Sequence, residues 1–210
     1  LERLVAGDEL AGRTIQGFAA HNVGLRSIDL DNVTMMRLDL RGADGDESRL
    51  ERAKLEQTDL RTSQWRGALW HRVQMKDCDL TELDLTGAQL LRCELGPVRM
   101  ARLKLHRARI QNCTFKDSEL YSSDFSSAVV IKSVFDGYAH ATVSLSRTDW
   151  TGATVFDVDF KRANLYGANL SGATFVRCDL RGVNLCNANL TGTKLVGCDT
   201  TGIDLDGATI

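Results

Sequence analysis

The sequence predicts a repeat fold in which the chain turns after every short face of five residues. Counting every fifth position from Leu10 to Ile210 gives 41 residues, of which 38 are apolar. Two residues after the apolar position of the same register glycine accumulates, and 15 of the 18 glycines stand there, counting Gly7 after Val5. A period of five fits neither a strand nor an amphipathic helix, and glycine favours tight corners, so the pattern indicates short segments joined by regular turns.

Each five-residue unit has a second inward position, two residues before the main apolar one. It holds small or apolar side chains such as Ala53, Ala88 and Cys93, while Asp or Asn is typical of the residue between, as at Asp39. Two inward positions in five leave three positions that point outward. The sequence therefore predicts one continuous core along the whole repeat.

Four units carry a family resemblance: Ala-Asn-Leu-Tyr-Gly at 163–167, Ala-Asn-Leu-Ser-Gly at 168–172, Val-Asn-Leu-Cys-Asn at 183–187 and Ala-Asn-Leu-Thr-Gly at 188–192. The chain resembles pentapeptide-repeat proteins over essentially its whole length. The resemblance implies an all-β solenoid, a right-handed quadrilateral parallel β-helix of about ten 20-residue coils. It assigns 10–210 to this β-helix and leaves 1–9 as an N-terminal cap or linker.

Residues 20 apart then become vertical neighbours in four inward columns. In this register Gly45 lies beneath Trp65, which indicates that the missing side chain makes room for the indole, although 43–48 could also form a small loop. Val130 is expected beneath Trp150. The most deviant unit is 136–140, where Tyr138 and His140 take inward positions, and it could bulge outward, bury a polar pair or hold a ligand.

Composition and charge exclude several classes of protein. The chain has 26 basic and 28 acidic residues, a formal charge of −2 and a pI near 6.1, so nucleic acid is not an expected partner. No apolar run approaches the ~20 residues of a membrane span. No Cys-x-x-Cys pair, catalytic constellation or phosphate loop is present, so we expect neither metal nor cofactor and no enzyme.

The six cysteines are expected to be free thiols. Five stand at the small inward position, where cysteine behaves as a small hydrophobic side chain, and Cys186 points outward. Cys93 and Cys113 are 20 apart, as are Cys178 and Cys198, so each pair stacks within disulfide range. Because stacked side chains on parallel strands point the same way, reduced thiols are favoured.

A basic surface is predicted in the first half of the chain. An outward ladder and one arginine-rich coil form this candidate surface for an anionic partner: Arg52, Arg72, Arg92, Arg99, Arg102, Lys104, Arg107 and Arg109. Like charges stacked on adjacent strands repel, so such a ladder needs solvent, counter-charge or a partner. A solvated edge that blocks strand addition is the alternative.

An apolar surface is predicted near the C-terminal end. Phe156, Val176 and Val196 share one outward column, and Ile203 and Leu205 belong to a final coil for which the sequence predicts no covering helix. Outward apolar stripes mark protein contacts, and uncapped coils are templates for association. We therefore expect a protein partner and a homodimer through the C-terminal coils.

These features predict a non-enzymatic protein-interaction module or scaffold, alone or within a larger or effector-type bacterial protein. The resemblance also implies an alternative, because well-known members of the family mimic DNA, bind type II topoisomerases such as gyrase and confer quinolone resistance. A cytoplasmic location is expected, with secretion as an effector as the other option.

Overall fold

The computed structural model describes residues 10–118, 120–136 and 145–210. Within these residues the chain forms 17 short strands and no helix. The predicted cap at 1–9 and the deviant unit with Tyr138 and His140 lie outside the described residues. None of the described segments is a helix long and apolar enough to span a membrane.

The strands contain two or three residues each. In chain order they are β1 (Thr14–Gln16), β2 (Thr34–Met36), β3 (Arg49–Glu51), β4 (Lys54–Glu56), β5 (Leu69–His71), β6 (Gln74–Lys76), β7 (Cys78–Asp79), β8 (Gln89–Leu91), β9 (Glu94–Leu95), β10 (Val98–Arg99), β11 (Arg109–Gln111), β12 (Thr114–Lys116), β13 (Val129–Ile131), β14 (Val134–Asp136), β15 (Thr154–Phe156), β16 (Thr174–Val176) and β17 (Lys194–Val196).

The strands stack in parallel into the faces of a β-helix of about nine turns. One face is a seven-stranded sheet with the order β1-β2-β4-β6-β9-β12-β14. Another is an eight-stranded sheet with the order β3-β5-β8-β11-β13-β15-β16-β17. The remaining two faces are joined by β7 with β10 and by isolated parallel bridges such as Asp44 with Gln64. The predicted four-faced solenoid is confirmed.

The 20-residue register is confirmed through most of the chain. Ile15 pairs with Met35, and Leu50 pairs with Trp70. Both inward positions are buried in most of the described units, as at Leu165 and Ala163, which are each 1% exposed, whereas the first and last coils are more exposed. The core is therefore a continuous stack of side chains along the axis.

One coil is five residues longer than the others, which corrects the predicted columns. Val130 pairs with Val155, at a separation of 25, and Phe125 is the residue that stacks on Trp150, with ring centroids 4.2 Å apart. The prediction that Val130 lies beneath Trp150 is therefore wrong. Phe135 and Leu145 are both buried at the ends of the interval that holds one additional unit, so the register shifts by five there.

The corners explain the glycine and aspartate preferences. The residue two positions after the central residue has a left-handed backbone at nearly all described corners, with φ of +64° at Gly152 and +54° at Arg52, and Pro97 is an exception. The aspartate before the central residue accepts a hydrogen bond at the corner, as where the Arg41 N–H donates to Asp39 Oδ1 at 3.2 Å. These are the local contacts that Gly, Asn and Asp favour in turns.

Candidate protein-binding surface

The eight-stranded sheet carries a column of outward apolar side chains over four coils. Ile131 pairs with Phe156, Phe156 with Val176, and Val176 with Val196. The first three are half-buried by their neighbours, while Val196 is 54% exposed. The predicted stripe of Phe156, Val176 and Val196 is thus a true column, and Ile131 extends it by one coil.

A second outward column runs beside the first on the same four strands. Val129 pairs with Thr154, Thr154 with Thr174, and Thr174 with Lys194. We use the name apolar face for the two columns together without the lysine: Val129, Ile131, Thr154, Phe156, Thr174, Val176 and Val196. The strands beneath these side chains are hydrogen-bonded in register, so the surface is flat and rigid.

Sequence reasoning missed Val129 and Ile131 because it counted 20 residues through the longer coil. In that count the residue above Ile131 is the polar Thr151. Leaving the deviant unit at 136–140 out of the count brings Ile131 beneath Phe156. The unit with inward Tyr and His marks where the count changes, but its sequence alone does not show whether the unit occupies a face.

Basic side chains border the apolar face. Arg109 lies one coil below Val129 and pairs with it in register, and its guanidinium donates a 3.1 Å hydrogen bond to Gln111 Oε1. Lys132 follows Ile131 at the corner, and Arg177 follows Val176 there. Lys194 ends the second column, and all four cations are exposed.

The border contains one carboxylate on the corner between Lys132 and Arg177. Asp157 accepts a hydrogen bond from Arg177 Nε at 2.7 Å. This bond from Arg177 lowers the pKa of Asp157 below its usual range. The Asp157 carboxylate therefore neutralises Arg177, which belongs to the same border, and the net charge of the border remains positive.

The arginine ladder follows the same corner further down the rod. Arg52, Arg72 and Arg92 stack at the left-handed corner positions with φ between 54° and 57°. Arg52 forms ion pairs with Asp31 at 2.8 Å and with Glu51 at 3.1 Å. Arg72 and Arg92 are exposed, and neither forms an ion pair with any residue that the structure describes.

The arginine-rich coil does not form one surface. Arg99 lies 4.0 Å from Asp79, and Arg102 forms an ion pair with Glu82 at 2.7 Å, so both are compensated by the coil below. Lys104, Arg107 and Arg109 continue around the rod onto the next face and toward the apolar face. Of the arginine-rich coil, only the part with Lys104, Arg107 and Arg109 adjoins the apolar face.

Carboxylate columns elsewhere on the rod are compensated by arginine. Arg41 bonds Asp39 at 2.7 Å and approaches Asp59 at 3.7 Å, and Arg61 repeats this arrangement with Asp59 at 2.6 Å and Asp79 at 3.9 Å. The side-chain hydrogen bond from Arg41 lowers the pKa of Asp39. The result is an alternating charge ladder across three coils.

The described residues offer little for catalysis or metal binding. They contain no group of three or more His, Cys, Asp or Glu side chains placed to hold a metal ion. An open groove of 470 Å³ lies beside Pro97 and is lined by Cys78, Asp79 and Arg99. Burial raises the pKa of the Cys78 thiol to about 11, so this cysteine is a poor nucleophile at neutral pH.

All six cysteines are unbridged. The predicted stacking is present, since the backbone N–H of Cys93 points to Cys113 Sγ at 3.4 Å and that of Cys178 to Cys198 Sγ at 3.4 Å. Burial raises the pKa of Cys178 to about 12. The five cysteines other than Cys186 are packing elements of the core.

The last coil exposes apolar side chains. Leu195 is 39% exposed, Leu205 is 37% exposed and Ile210 is 88% exposed. Ile203 is only partly buried and packs against the core. The predicted contact residues Ile203 and Leu205 therefore lie at the end of the stack, apart from the apolar face.

A family model for pentapeptide repeats matches the chain in eight copies, over residues 25–61, 143–175 and 163–201. No curated protein matches the chain.

HetL and QnrB1 are among the solved structures that match the chain. HetL is a pentapeptide-repeat protein from the cyanobacterium Nostoc sp. strain PCC 7120 that is involved in heterocyst differentiation regulation. Its sequence is 23% identical to this chain, and the two structures match with a TM-score of 0.71 over 87% of this chain and 89% of HetL. QnrB1, a plasmid-mediated fluoroquinolone resistance protein, is 19% identical, with a TM-score of 0.49 over 91% of each chain. The likeness to HetL shows the fold alone, and the weaker likeness to QnrB1 supports no argument about function.

Proposed function

Because this chain belongs to the pentapeptide-repeat family, we propose that it is a rigid, non-enzymatic scaffold whose apolar face binds another protein. The observation that carries the proposal is the in-register column of Ile131, Phe156, Val176 and Val196 on the outside of a sheet. Outward apolar side chains that adjoin over several coils form a patch, and patches mark interaction sites.

Rigidity supports a binding role. The strands of the apolar face pair in register with their neighbours in the sheet, with β17 as the edge strand, and the inward side chains Val155 and Phe175 are buried in the core. A preformed surface loses little conformational entropy when a partner docks. Solenoids offer long regular surfaces of this kind and few deep pockets.

Binding of a type II topoisomerase by mimicry of DNA is the alternative. A DNA mimic requires rows of uncompensated negative charge, whereas Arg41 and Arg61 neutralise the carboxylates beside them. The scaffold proposal predicts no inhibition of gyrase supercoiling at micromolar protein and no protection of gyrase from a quinolone. Inhibition in this assay would favour the alternative.

We also propose self-association through the C-terminal coils, where Leu195, Leu205 and Ile210 are exposed. Light scattering should then give twice the mass of the monomer. Replacing Ile203 by Lys together with Leu205 by Glu should restore the monomer, because both residues lie at the end of the stack and outside the apolar face. A wild-type chain that stays monomeric at high micromolar concentration would contradict this proposal.

The scaffold proposal is tested by comparing three immobilised proteins in extracts of the source cells. The wild type and Tyr166→Glu should retain the same protein, because Tyr166 is exposed on another face. The double variant Phe156→Glu, Val176→Glu should lose it. The identified protein is then purified and its affinity measured by calorimetry, and equal affinity for all three chains would contradict the proposal.

A further inference from the structure

The border of the apolar face has a strong excess of positive charge, although the chain as a whole carries −2. Arg109 lies below the face, Lys132 and Arg177 lie along one side, and Lys194 lies above it. Asp157 is the one carboxylate between them and is bonded to Arg177. A partner on this surface therefore meets cations on three sides.

The fourth side of the apolar face is uncharged. The corner that precedes strands β13, β15, β16 and β17 holds small side chains, with Ser127, Gly152, Gly172 and Gly192 at its left-handed positions. A segment can enter from this side without meeting a charge or a bulky group. The surface therefore favours a partner with negative charge, and it favours an approach from the uncharged side.

We infer that the apolar face docks a protein segment whose apolar side chains are bordered by aspartate or glutamate, an inference that rests on the proposed function. Acidic side chains at the edge of such a segment would reach Arg109, Lys132 and Lys194. Complementary charge at the rim of an interface speeds association and excludes wrong partners, while the apolar centre supplies most of the affinity.

A second copy of this chain does not fit the same surface. Two apolar faces in contact would bring one basic border against another, and like charges at an interface are costly. An anionic membrane shares the required charge. However, insertion at a bilayer surface is typical of amphipathic helices, and the described residues form no helix.

A random peptide library selected on the full chain tests the inference. The expected result is peptides that combine apolar residues with an excess of Asp and Glu, that bind less tightly as salt is raised, and that compete with one another. The double variant Lys132→Glu, Lys194→Glu should weaken them by about tenfold. The matched control, Lys161→Glu with Arg162→Glu, changes two exposed cations beyond the border and should leave the affinity unchanged.

The outcomes separate this inference from the proposed function. Peptides that require Phe156 but carry no acidic residues, or that bind the charge-reversed variant equally well, would overturn the inference and leave the scaffold proposal standing. Selection of no peptide that requires Phe156 would contradict both. The full chain could instead bind phosphatidylserine vesicles, with binding abolished by Phe156→Glu and absent with phosphatidylcholine. That result would overturn the inference of an acidic protein segment and identify a membrane surface as the partner.

Discussion

Gly45 lies directly beneath the indole of Trp65, and the side chain that glycine lacks would occupy the volume of the ring. A Cβ built on Gly45 stands 2.4 Å from Cε3 and 2.5 Å from Cδ2 of Trp65. Real Cβ atoms are not found so close to another heavy atom. The largest side chain in the repeat and the one glycine in an inward column therefore form a complementary pair.

Replacing Gly45 by Ala should destabilise the protein by about 1–3 kcal/mol, because the new methyl group overpacks a rigid core. Thermal or denaturant unfolding measures this loss. Gly24→Ala is the matched control, since a Cβ there meets nothing within 4 Å and the backbone is not left-handed. Gly24→Ala should leave the free energy of unfolding nearly unchanged.

The cause is established by combining the substitution with Trp65→Leu. The leucine side chain frees the space above residue 45, so the double variant should be less destabilised than the sum of the single variants. Strictly additive losses would show that the glycine is required for another reason.

The Gly45 and Trp65 pair was predictable from the sequence because a fixed 20-residue period converts position directly into vertical contact. The same rule failed at Trp150, where it placed Val130 instead of Phe125. A period is a local property of each unit, and the sequence of one deviant unit does not state whether that unit occupies a face. The fold was thus predictable. The register between the coils before and after the longer coil was not.

The candidate surface shows the same limit. The column of Phe156, Val176 and Val196 was predictable, since no register change separates these residues. Ile131 was not, because it lies across the longer coil. Part of the charge compensation was predictable from the same period, since Arg102 has Glu82 20 residues below it, whereas Arg72 has Arg52 there.

The three buried tryptophans differ in their hydrogen bonding. Trp65 Nε1 donates to Ser63 Oγ at 3.0 Å, and Trp150 Nε1 donates to Thr148 Oγ1 at 2.8 Å. Trp70 Nε1 is buried and has no hydrogen-bond partner among the described residues. The residue two positions before Trp70 is Ala68, which has no hydroxyl.

Replacing Ala68 by Ser should therefore stabilise the protein by about 0.5–1.5 kcal/mol, because the hydroxyl would accept from a buried donor. Ser63→Ala is the opposite change and should cost about 1–3 kcal/mol by leaving Trp65 Nε1 unpaired. Chemical denaturation of the two variants measures both effects. An Ala68→Ser protein less stable than the wild type would contradict the expectation.

Asp46 connects three successive coils. Its side chain is 6% exposed and accepts from Arg26 at 3.0 Å and from Arg66 at 2.7 Å. Burial alone would raise the pKa of Asp46, but the hydrogen bonds from Arg66 outweigh burial and the pKa is lowered. The contribution to stability is thus present above the unfolded pKa of about 4 and is lost as the pH falls through the lower folded value.

Asp46→Asn should cost about 1–2 kcal/mol at neutral pH, discounted for the exposed arginines. The difference from the wild type should shrink below pH ~4, where the wild-type carboxylate protonates. Unfolding measured across this pH range tests the sign. The exposed neighbour substitution Glu47→Gln should show a much smaller effect, and a difference for Asp46→Asn that grows in acid would refute the assignment.

The thiols should all be free and mostly unreactive. Titration of denatured, non-reduced protein should count six, in agreement with six unbridged cysteines. In the native state Cys78 and Cys178 should resist alkylation at neutral pH, because burial raises their pKa to about 11 and about 12. A count of four or fewer in the denatured protein would show that Cys93 with Cys113, or Cys178 with Cys198, is oxidised.

The longer coil gives a direct test of the register. Deleting 137–141 joins Asp136 to Thr142, so that Leu145 follows Phe135 by five and Val143 takes the small inward position between them. The coil then has 20 residues, and the pairing of Val130 with Val155 is unchanged in space. We expect the shortened protein to fold with the wild-type circular dichroism spectrum and with stability within about 1 kcal/mol, since the described pairing on either side of the deletion is kept and a change in chain length between paired segments has a weak entropic effect. Deleting 161–165 is the matched control, because it removes a unit that contributes the buried Ala163 and Leu165 and moves every later residue by one face. That variant should lose several kcal/mol or fail to fold.

If the shortened protein were the unstable one, the additional unit would belong to the stacked core, and the paired register on either side of it would be wrong.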